Sequence, residues 1–294
     1  MFRSLLPHII TWNDSEYPGL KTLHCYAKRH GYPLRDGVSS SCNYVQGPYF
    51  KKVCHVLHYL KSTPSNTWVL FTDADVAVMN PERKLEDFID HKHDMVVYER
   101  FHNNEIMSGV YLVRHTPWSV RFLKQWLELQ KENLPLPNAD NGALMVLLGN
   151  SAACTRAAKR CDDSLESYWN VVSVCKQAMG IVDCSPWGEA HTCRDGHVKV
   201  LRRGHGPALD FFIMGPGSGA NEDQGGVSWP WGFLVHGVKP HGHKLLGVIE
   251  DCRMRMPRAL NFADAVGMMQ RRYLERRAIT FHKRSFQHCV PEAP

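Results

Sequence analysis

Asp73 and Asp75 stand one residue apart at the end of an apolar run, Thr67-Trp68-Val69-Leu70-Phe71-Thr72. On an extended backbone, residues two apart point to the same side. The segment Phe71-Thr72-Asp73-Ala74-Asp75-Val76 therefore presents two carboxylates together. Burying an anionic pair beside a hydrophobic strand is costly without a counter-charge. A divalent cation supplies one, because Mg²⁺ and Mn²⁺ prefer oxygen ligands and keep positions open for phosphate oxygens. The competing reading is an acidic turn that caps the next segment. The pair's place after an apolar strand and before Val76-Ala77-Val78-Met79-Asn80-Pro81 favours the metal.

The elements around this pair alternate. His8 to Trp12 reads as a short strand, followed by Asn13 and Asp14 as cap residues. A helix runs from about Glu16 to His30 and is closed by Gly31. A second helix spans about Tyr49 to Lys61, with Val53, Val56, Leu57 and Leu60 at core spacing, and the turn run from Ser62 to Asn66 stops it. The apolar run that follows reads as a strand buried on both faces of a largely parallel sheet. Met95 to Tyr98 and Gly109 to Val113 are further strands. Thr116 and Pro117 start a helix to about Lys131, and Asn138 caps another through Leu148. Such alternation predicts an α/β fold with helices on both faces of the sheet, and ligands bind such sheets at the carboxyl ends of their strands. Beyond residue 150 the periodicity weakens. Met214 to Gly226 reads as a Gly-rich loop, Gly232 to Val235 as a strand, and the tail from Phe262 as an Arg-rich helix.

The chain has 294 residues and a formal net charge of +6, with 44% hydrophobic and 22% charged residues. That length suits one large domain or two small ones. The basic residues form no concentrated stripe, which argues against nucleic acid and fits a small anionic ligand. No apolar run approaches the ~20 residues a membrane span needs. Met1 to Ile10 is too short and wrongly flanked for a signal peptide. The sequence alone thus predicts a soluble protein that is either cytosolic or a fragment lacking its true start. Five of the ten cysteines, Cys154, Cys161, Cys175, Cys184 and Cys193, fall in one polar stretch, and no C-x-x-C pair occurs. This speaks against a zinc site and leaves two readings open, disulfides in an oxidising compartment or free buried thiols.

Trp68 to Pro81 resembles the Asp-x-Asp segment of GT-A-fold glycosyltransferases. It is similar to the galactosyl-, mannosyl- and xylosyltransferases of the galactomannan/xyloglucan type, and more so to a related family of unknown function best known from nematodes. Other blocks agree in order. His24-Cys25-Tyr26-Ala27 through Tyr32 resembles the first helix of that family, and Phe50-Lys51-Lys52-Val53-Cys54 its second. Asn104 to Arg114 with Thr116-Pro117-Trp118-Ser119 resembles its donor-side strand and helix. Asp140-Asn141-Gly142-Ala143-Leu144 and His236-Gly237-Val238-Lys239 complete the set, over about residues 8 to 255. The departures are Lys51 and Lys52, where the family commonly has two Arg, a thin first strand, and the unmatched stretch from Cys154 to Cys193.

The resemblance implies a Rossmann-like nucleotide-diphospho-sugar transferase domain over residues 1–260, with a mostly parallel central sheet. It has a Cys-rich insertion at about 150–195, and a helical basic tail follows at 261–294. It implies that Asp73 and Asp75 bind Mn²⁺ or Mg²⁺, with His236 as third ligand and His241 and His243 as rivals. Asp73, Ala74, Asp75, Ser108, Gly109, Gly237 and Lys239 would bind the donor. Lys239 would meet a phosphate, and Gly237 would admit the diphosphate close to the backbone. Asp140 and Asn141 would lie beside the reacting sugar, although Asp140 also suits a helix first turn. Asn104 and Glu105 are weaker candidates for sugar hydroxyls. Lys52 reads as a solvated helix face that could reach a nucleotide. The implied activity moves a hexose or pentose from a UDP- or GDP-sugar to a glycan or glycoprotein, with retention, in the Golgi or another secretory lumen. A non-catalytic relative that binds glycans or partners is the alternative. A two-metal phosphohydrolase would need more clustered ligands than the sequence offers.

Overall fold

The computed structural model describes residues 6–12, 17–37, 40–45, 47–100, 105–132, 134–136, 139–162, 164–181, 190–202, 205–210, 233–236, 249–250 and 253–254. The strands are β1 (His8–Trp12), β2 (Leu34–Arg35), β3 (Trp68–Asp73), β4 (Val76–Val78), β5 (Met95–Tyr98) and β6 (Val110–Arg114). They continue with β7 (His191–Cys193), β8 (Val198–Leu201), β9 (Ala208–Asp210), β10 (Leu234–His236), β11 (Ile249–Glu250) and β12 (Arg253–Met254). The helices are α1 (Pro18–His30), α2 (Pro48–Ser62), α3 (Pro117–Glu128), α4 (Ala139–Gly149), α5 (Ala152–Lys159) and α6 (Leu165–Ala178). None of them is long and apolar enough to cross a membrane.

β3 lies inside a seven-stranded sheet of order β2-β1-β3-β6-β5-β8-β7. Its side chains alternate between two cores, as the period of a strand requires. Val69 and Phe71 face one core with α2, α3, α4 and α6, while Trp68 and Leu70 face the other with α1 and β4. Each such side chain contributes roughly 1.5–3 kcal/mol when it leaves water. This two-sided burial is why the strand reads as an unbroken apolar run. The α/β layering with helices on both faces is thus as expected. The parallel character is less than expected. The β1–β2, β1–β3 and β5–β8 pairings are parallel, but β3–β6, β5–β6 and β7–β8 are antiparallel. β6 enters between β3 and β5 antiparallel to both, so the sheet is evenly mixed. The carboxyl ends of β1, β3, β5 and β8 and the start of β6 consequently share one edge.

Helix boundaries follow local chemistry. Gly31 takes the left-handed φ of 72° that closes α1. The Thr116 hydroxyl accepts a hydrogen bond from the Ser119 N–H and starts α3. Asn13, Asp14 and Asn138, the other expected caps, lie outside the described residues. So do the Gly-rich loop at 214–226 and the tail from Phe262. The Cys-rich stretch folds into α5, α6 and β7. Cys154, Ala158, Tyr168 and Val171 join the core beneath α2 and α3, and a Cys154–Cys175 disulfide ties α5 to α6 with Cα atoms 4.8 Å apart. A second disulfide, Cys42–Cys54, ties the loop before α2 to the helix itself, and Cys25 is disulfide-bonded as well. Cys161 and Cys193 are buried free thiols, so both readings of the cysteines are realised in different places.

β4 belongs to a second sheet, β4-β10-β9, and α1 fixes it. The Val78 N–H donates to the Thr22 hydroxyl oxygen at 2.8 Å, and that hydroxyl donates to the Gly19 carbonyl at 2.6 Å. A Cβ on Gly19 would stand 2.2 Å from the Val76 carbonyl oxygen. Gly19→Ala is therefore expected to destabilise the protein by about 1–3 kcal/mol through backbone separation. Thermal denaturation against wild type checks this.

Candidate metal site

Three of the sequence-predicted ligands converge. Asp73 ends β3, and its N–H donates to the Gly109 carbonyl at 2.7 Å. The turn through Ala74 and Asp75 leads into β4, which α1 holds. β10 pairs antiparallel with β4, and its register sets His236 opposite Val76. His236 Nε2 thereby comes within 3.4 Å of Asp75 Oδ1 and 3.6 Å of Asp73 Oδ2. Ligand atoms of all three residues lie within 4.8 Å of one another. Two ligands on one ion at about 2.1 Å each sit at most roughly 4.2 Å apart. Two carboxylates and one imidazole therefore fit a divalent cation such as Mn²⁺ or Mg²⁺ after only a slight closing. A second grouping of metal-type residues, Cys42, Cys54 and His58, offers no thiolate, because its two sulfurs are joined in a disulfide.

Lys52 is a correction to the sequence reading. It does not lie on a solvated helix face but is buried, and its ammonium meets both Asp73 oxygens at 3.1 Å and Asp140 Oδ2 at 2.5 Å. Burial disfavours its charge, but Asp140 and Asp73 outweigh that and hold its pKa well above the usual lysine value. Asp140 and Asn141 sit in the first turn of α4 and are also buried. Burial pushes the Asp140 carboxyl up, but Lys52 and the Ser108 hydroxyl outweigh it and keep the carboxyl below its ordinary range. The Ser108 hydroxyl donates to Asp140 Oδ2 at 2.5 Å, and the Ser108 N–H donates to Asn141 Oδ1 at 2.8 Å. The Trp126 indole N–H anchors the Asp140 carbonyl at 3.2 Å.

These groups line one cavity of about 400 Å³ with Trp12, Tyr17, Pro48, Tyr49, Ala74, Arg100, Met107 and Gly109. Asp73, Ala74, Asp75, Ser108, Gly109, Asp140, Asn141 and His236 are thus all at one site. Gly237, Lys239, His241, His243 and Asn104 lie outside the described residues. Glu105 is a correction, for it cannot reach a sugar hydroxyl. Its carboxylate is fully buried, paired with Arg100 at 3.0 Å and accepting the Tyr168 hydroxyl. It holds the guanidinium of Arg100, a cavity residue the sequence reading missed. Beside it, Glu99 is paired with Lys176 at 2.5 Å and Arg202 at 2.6 Å.

Gly109 is required by close approach. A Cβ there would lie 2.4 Å from Asp73 Oδ2 and 2.4 Å from Met107 Cε. Gly109→Ala is expected to displace the Asp73 carboxylate and weaken divalent-metal binding by about 10–100-fold, as disturbed ligand support does elsewhere. Calorimetric Mn²⁺ titration of the folded variant checks it.

Comparisons with known proteins agree with the resemblance. Two curated rice proteins, from Oryza sativa subsp. indica and subsp. japonica, are each named "Probable glycosyltransferase 7" and are 24% identical over 249 residues. The match covers 74% of this chain and 54% of theirs, so the chain spans about half the length of the curated relatives it matches. Among solved structures, a glycosyltransferase involved in the glycosylation of the major capsid of PBCV-1 is similar at 19% identity. Its TM-score is 0.38, over 44% of this chain and 69% of that one. The glycosyltransferase GlyE of Streptococcus pneumoniae TIGR4 is similar at 16% identity and a TM-score of 0.32, over 48% of this chain and 35% of its own. Likeness at that level adds nothing to the geometry. A family model matches residues 23–225, and the chain belongs to that family, described as "Protein of unknown function, DUF273".

Proposed function

We propose that this protein is a metal-dependent glycosyltransferase that moves a hexose or pentose from a UDP- or GDP-sugar to a glycan or glycoprotein acceptor, with retention of anomeric configuration. The observation that carries the reading is the convergence of Asp73, Asp75 and His236 in the wall of a cavity that Lys52, Arg100 and Asp140 also line. The rice relatives' name supports the reaction class, and the resemblance of the Asp-x-Asp segment supports the donor class and stereochemistry.

In this reading Asp73, Asp75 and His236 hold Mn²⁺ or Mg²⁺. The ion would offset charge building on the departing diphosphate, as a Lewis acid does in other transfers. Arg100, oriented by Glu105, offers a guanidinium to phosphate oxygens. The backbone at Ser108 and Gly109 faces the donor sugar. Asp140, kept ionised, would stabilise positive charge that develops at the anomeric carbon. Asn141 positions Ser108 and, through it, Asp140. Trp12, Tyr17 and Tyr49 give the cavity aromatic surface for a base or sugar ring. The disulfides support an oxidising compartment, in keeping with the Golgi or another secretory lumen.

Thermal denaturation with UDP, GDP or CDP, each with and without Mn²⁺, tests the donor class. One nucleoside diphosphate is expected to raise Tm by roughly 5 °C at a concentration a hundredfold above its Kd, and only with the metal. Sugar release from the matching donor should require Mn²⁺ and fall roughly hundredfold or more in Asp75→Ala. Glycan binding without metal-dependent donor turnover, unchanged in that variant, would instead identify a binding protein.

A further inference from the structure

Among the described residues, three carboxylates and two permanently charged cations line the cavity. Asp73, Asp75 and Asp140 all line it, against Lys52 and Arg100. Arg100 is engaged by the fully buried Glu105. Lys52 touches two of the three carboxylates, Asp73 with both oxygens and Asp140 with one. Asp73 is also one of the three residues grouped around the candidate metal position. Asp73 has lone pairs enough for both partners, but an ammonium 3.1 Å from each of its oxygens and a divalent ion on the same carboxylate share one negative charge. Two cations a few ångströms apart repel each other, so each weakens the other's hold on Asp73.

We infer that Lys52 is a built-in competitor for the metal. Its ammonium occupies Asp73 when the site is metal-free, and metal binding shifts it off Asp73 onto Asp140. This deepens the proposed function and rests on its assignment of the metal to Asp73, Asp75 and His236. The exchange runs through the side chain and not through the helix. The Cys42–Cys54 bond pins α2 two residues beyond Lys52, and α2 is packed through Val53, Val56, Leu57 and Leu60. The flexible lysine stem can swing, whereas its Cα cannot. Two contacts keep the ammonium satisfied after it leaves Asp73. Asp140 Oδ2 is already its shorter partner at 2.5 Å, and the Phe71 ring lies 5.9 Å from Nζ, within cation–π range. Metal occupancy is thereby coupled to the charge facing Asp140. The metal-free site does not carry bare clustered carboxylates, and the metal-bound site keeps the Lys52 charge on Asp140.

Mn²⁺ titration without nucleotide, by calorimetry on the full chain, tests this in wild type, Lys52→Met, Lys52→Gln and Asp75→Ala. A neutral residue at position 52 should tighten Mn²⁺ binding by about tenfold or more, because it removes a competing charge a few ångströms away. The Mn²⁺-induced rise in Tm should be larger in those variants than in wild type. Unchanged or weaker Mn²⁺ binding in a folded Lys52 variant overturns the inference while leaving the metal site intact. Wild-type Mn²⁺ binding that is absent, or indifferent to Asp75→Ala, overturns the metal assignment and the inference with it. If neither Lys52 variant folds, a crystal structure of wild type with Mn²⁺ decides. Nζ more than about 4 Å from both Asp73 oxygens and still on Asp140 is the expected result, and retention of both Asp73 contacts beside the bound ion overturns the exchange.

Discussion

Carboxylates gathered at the end of a hydrophobic sheet must be matched by positive charge, and that constraint organises this structure. Asp73 and Asp75 leave β3 where both faces of the strand are covered by core. Asp140 arrives from α4 and is as buried as Asp75, while Asp73 is part-buried. Isolated buried carboxylates would protonate or unfold the region. The chain answers with Lys52, and the geometry leaves room for an ion between the two aspartates and the His236 imidazole.

Much of the remaining architecture serves to hold those groups at fixed separations. β6 pairs with β3 so that Gly109 abuts the Asp73 carboxylate with no side chain between them. α1 grips β4 through Thr22 and thereby sets the turn that carries Asp75. β10 adds to β4 from far along the sequence and brings His236. On the other side, Ser108 and Trp126 orient the first turn of α4. Behind the cavity, the pairs Glu105–Arg100 and Glu99–Arg202 fix the end of β5. Buried networks of this kind are favourable when every member is satisfied, and they keep the guanidinium of Arg100 in one place.

The sequence made β3 and its acidic turn legible because a strand buried on both faces has no polar alternation to obscure it. α2 was legible in its extent but not in the role of Lys52. The apolar face Val53, Val56, Leu57 and Leu60 points to the sheet, and a lysine beside it reads as solvated unless its partners on β3 and α4 are known. Arg100 escaped for the same reason, since its burial depends on Glu105 and on Tyr168 of α6. The even mixture of parallel and antiparallel pairs was hidden because β5 and β6 are short apolar segments with no directional signal. The helices α5 and α6 were hidden because they pack largely on each other and on α4, with a disulfide supplying part of what a longer apolar face would supply. Asp140 could be read as a helix first-turn acid or as a site residue, and it is in fact both a first-turn residue and a cavity wall.

The central claim is that one cation is shared by Asp73, Asp75 and His236. Pulsed electron paramagnetic resonance of bound Mn²⁺ tests it most directly, because a coordinated imidazole imprints a nitrogen coupling on the signal. A single bound Mn²⁺ with that coupling, lost in His236→Ala while the fold is retained, is the result a shared site requires. A Mn²⁺ spectrum free of nitrogen coupling, or one that His236→Ala leaves unaltered, would contradict it.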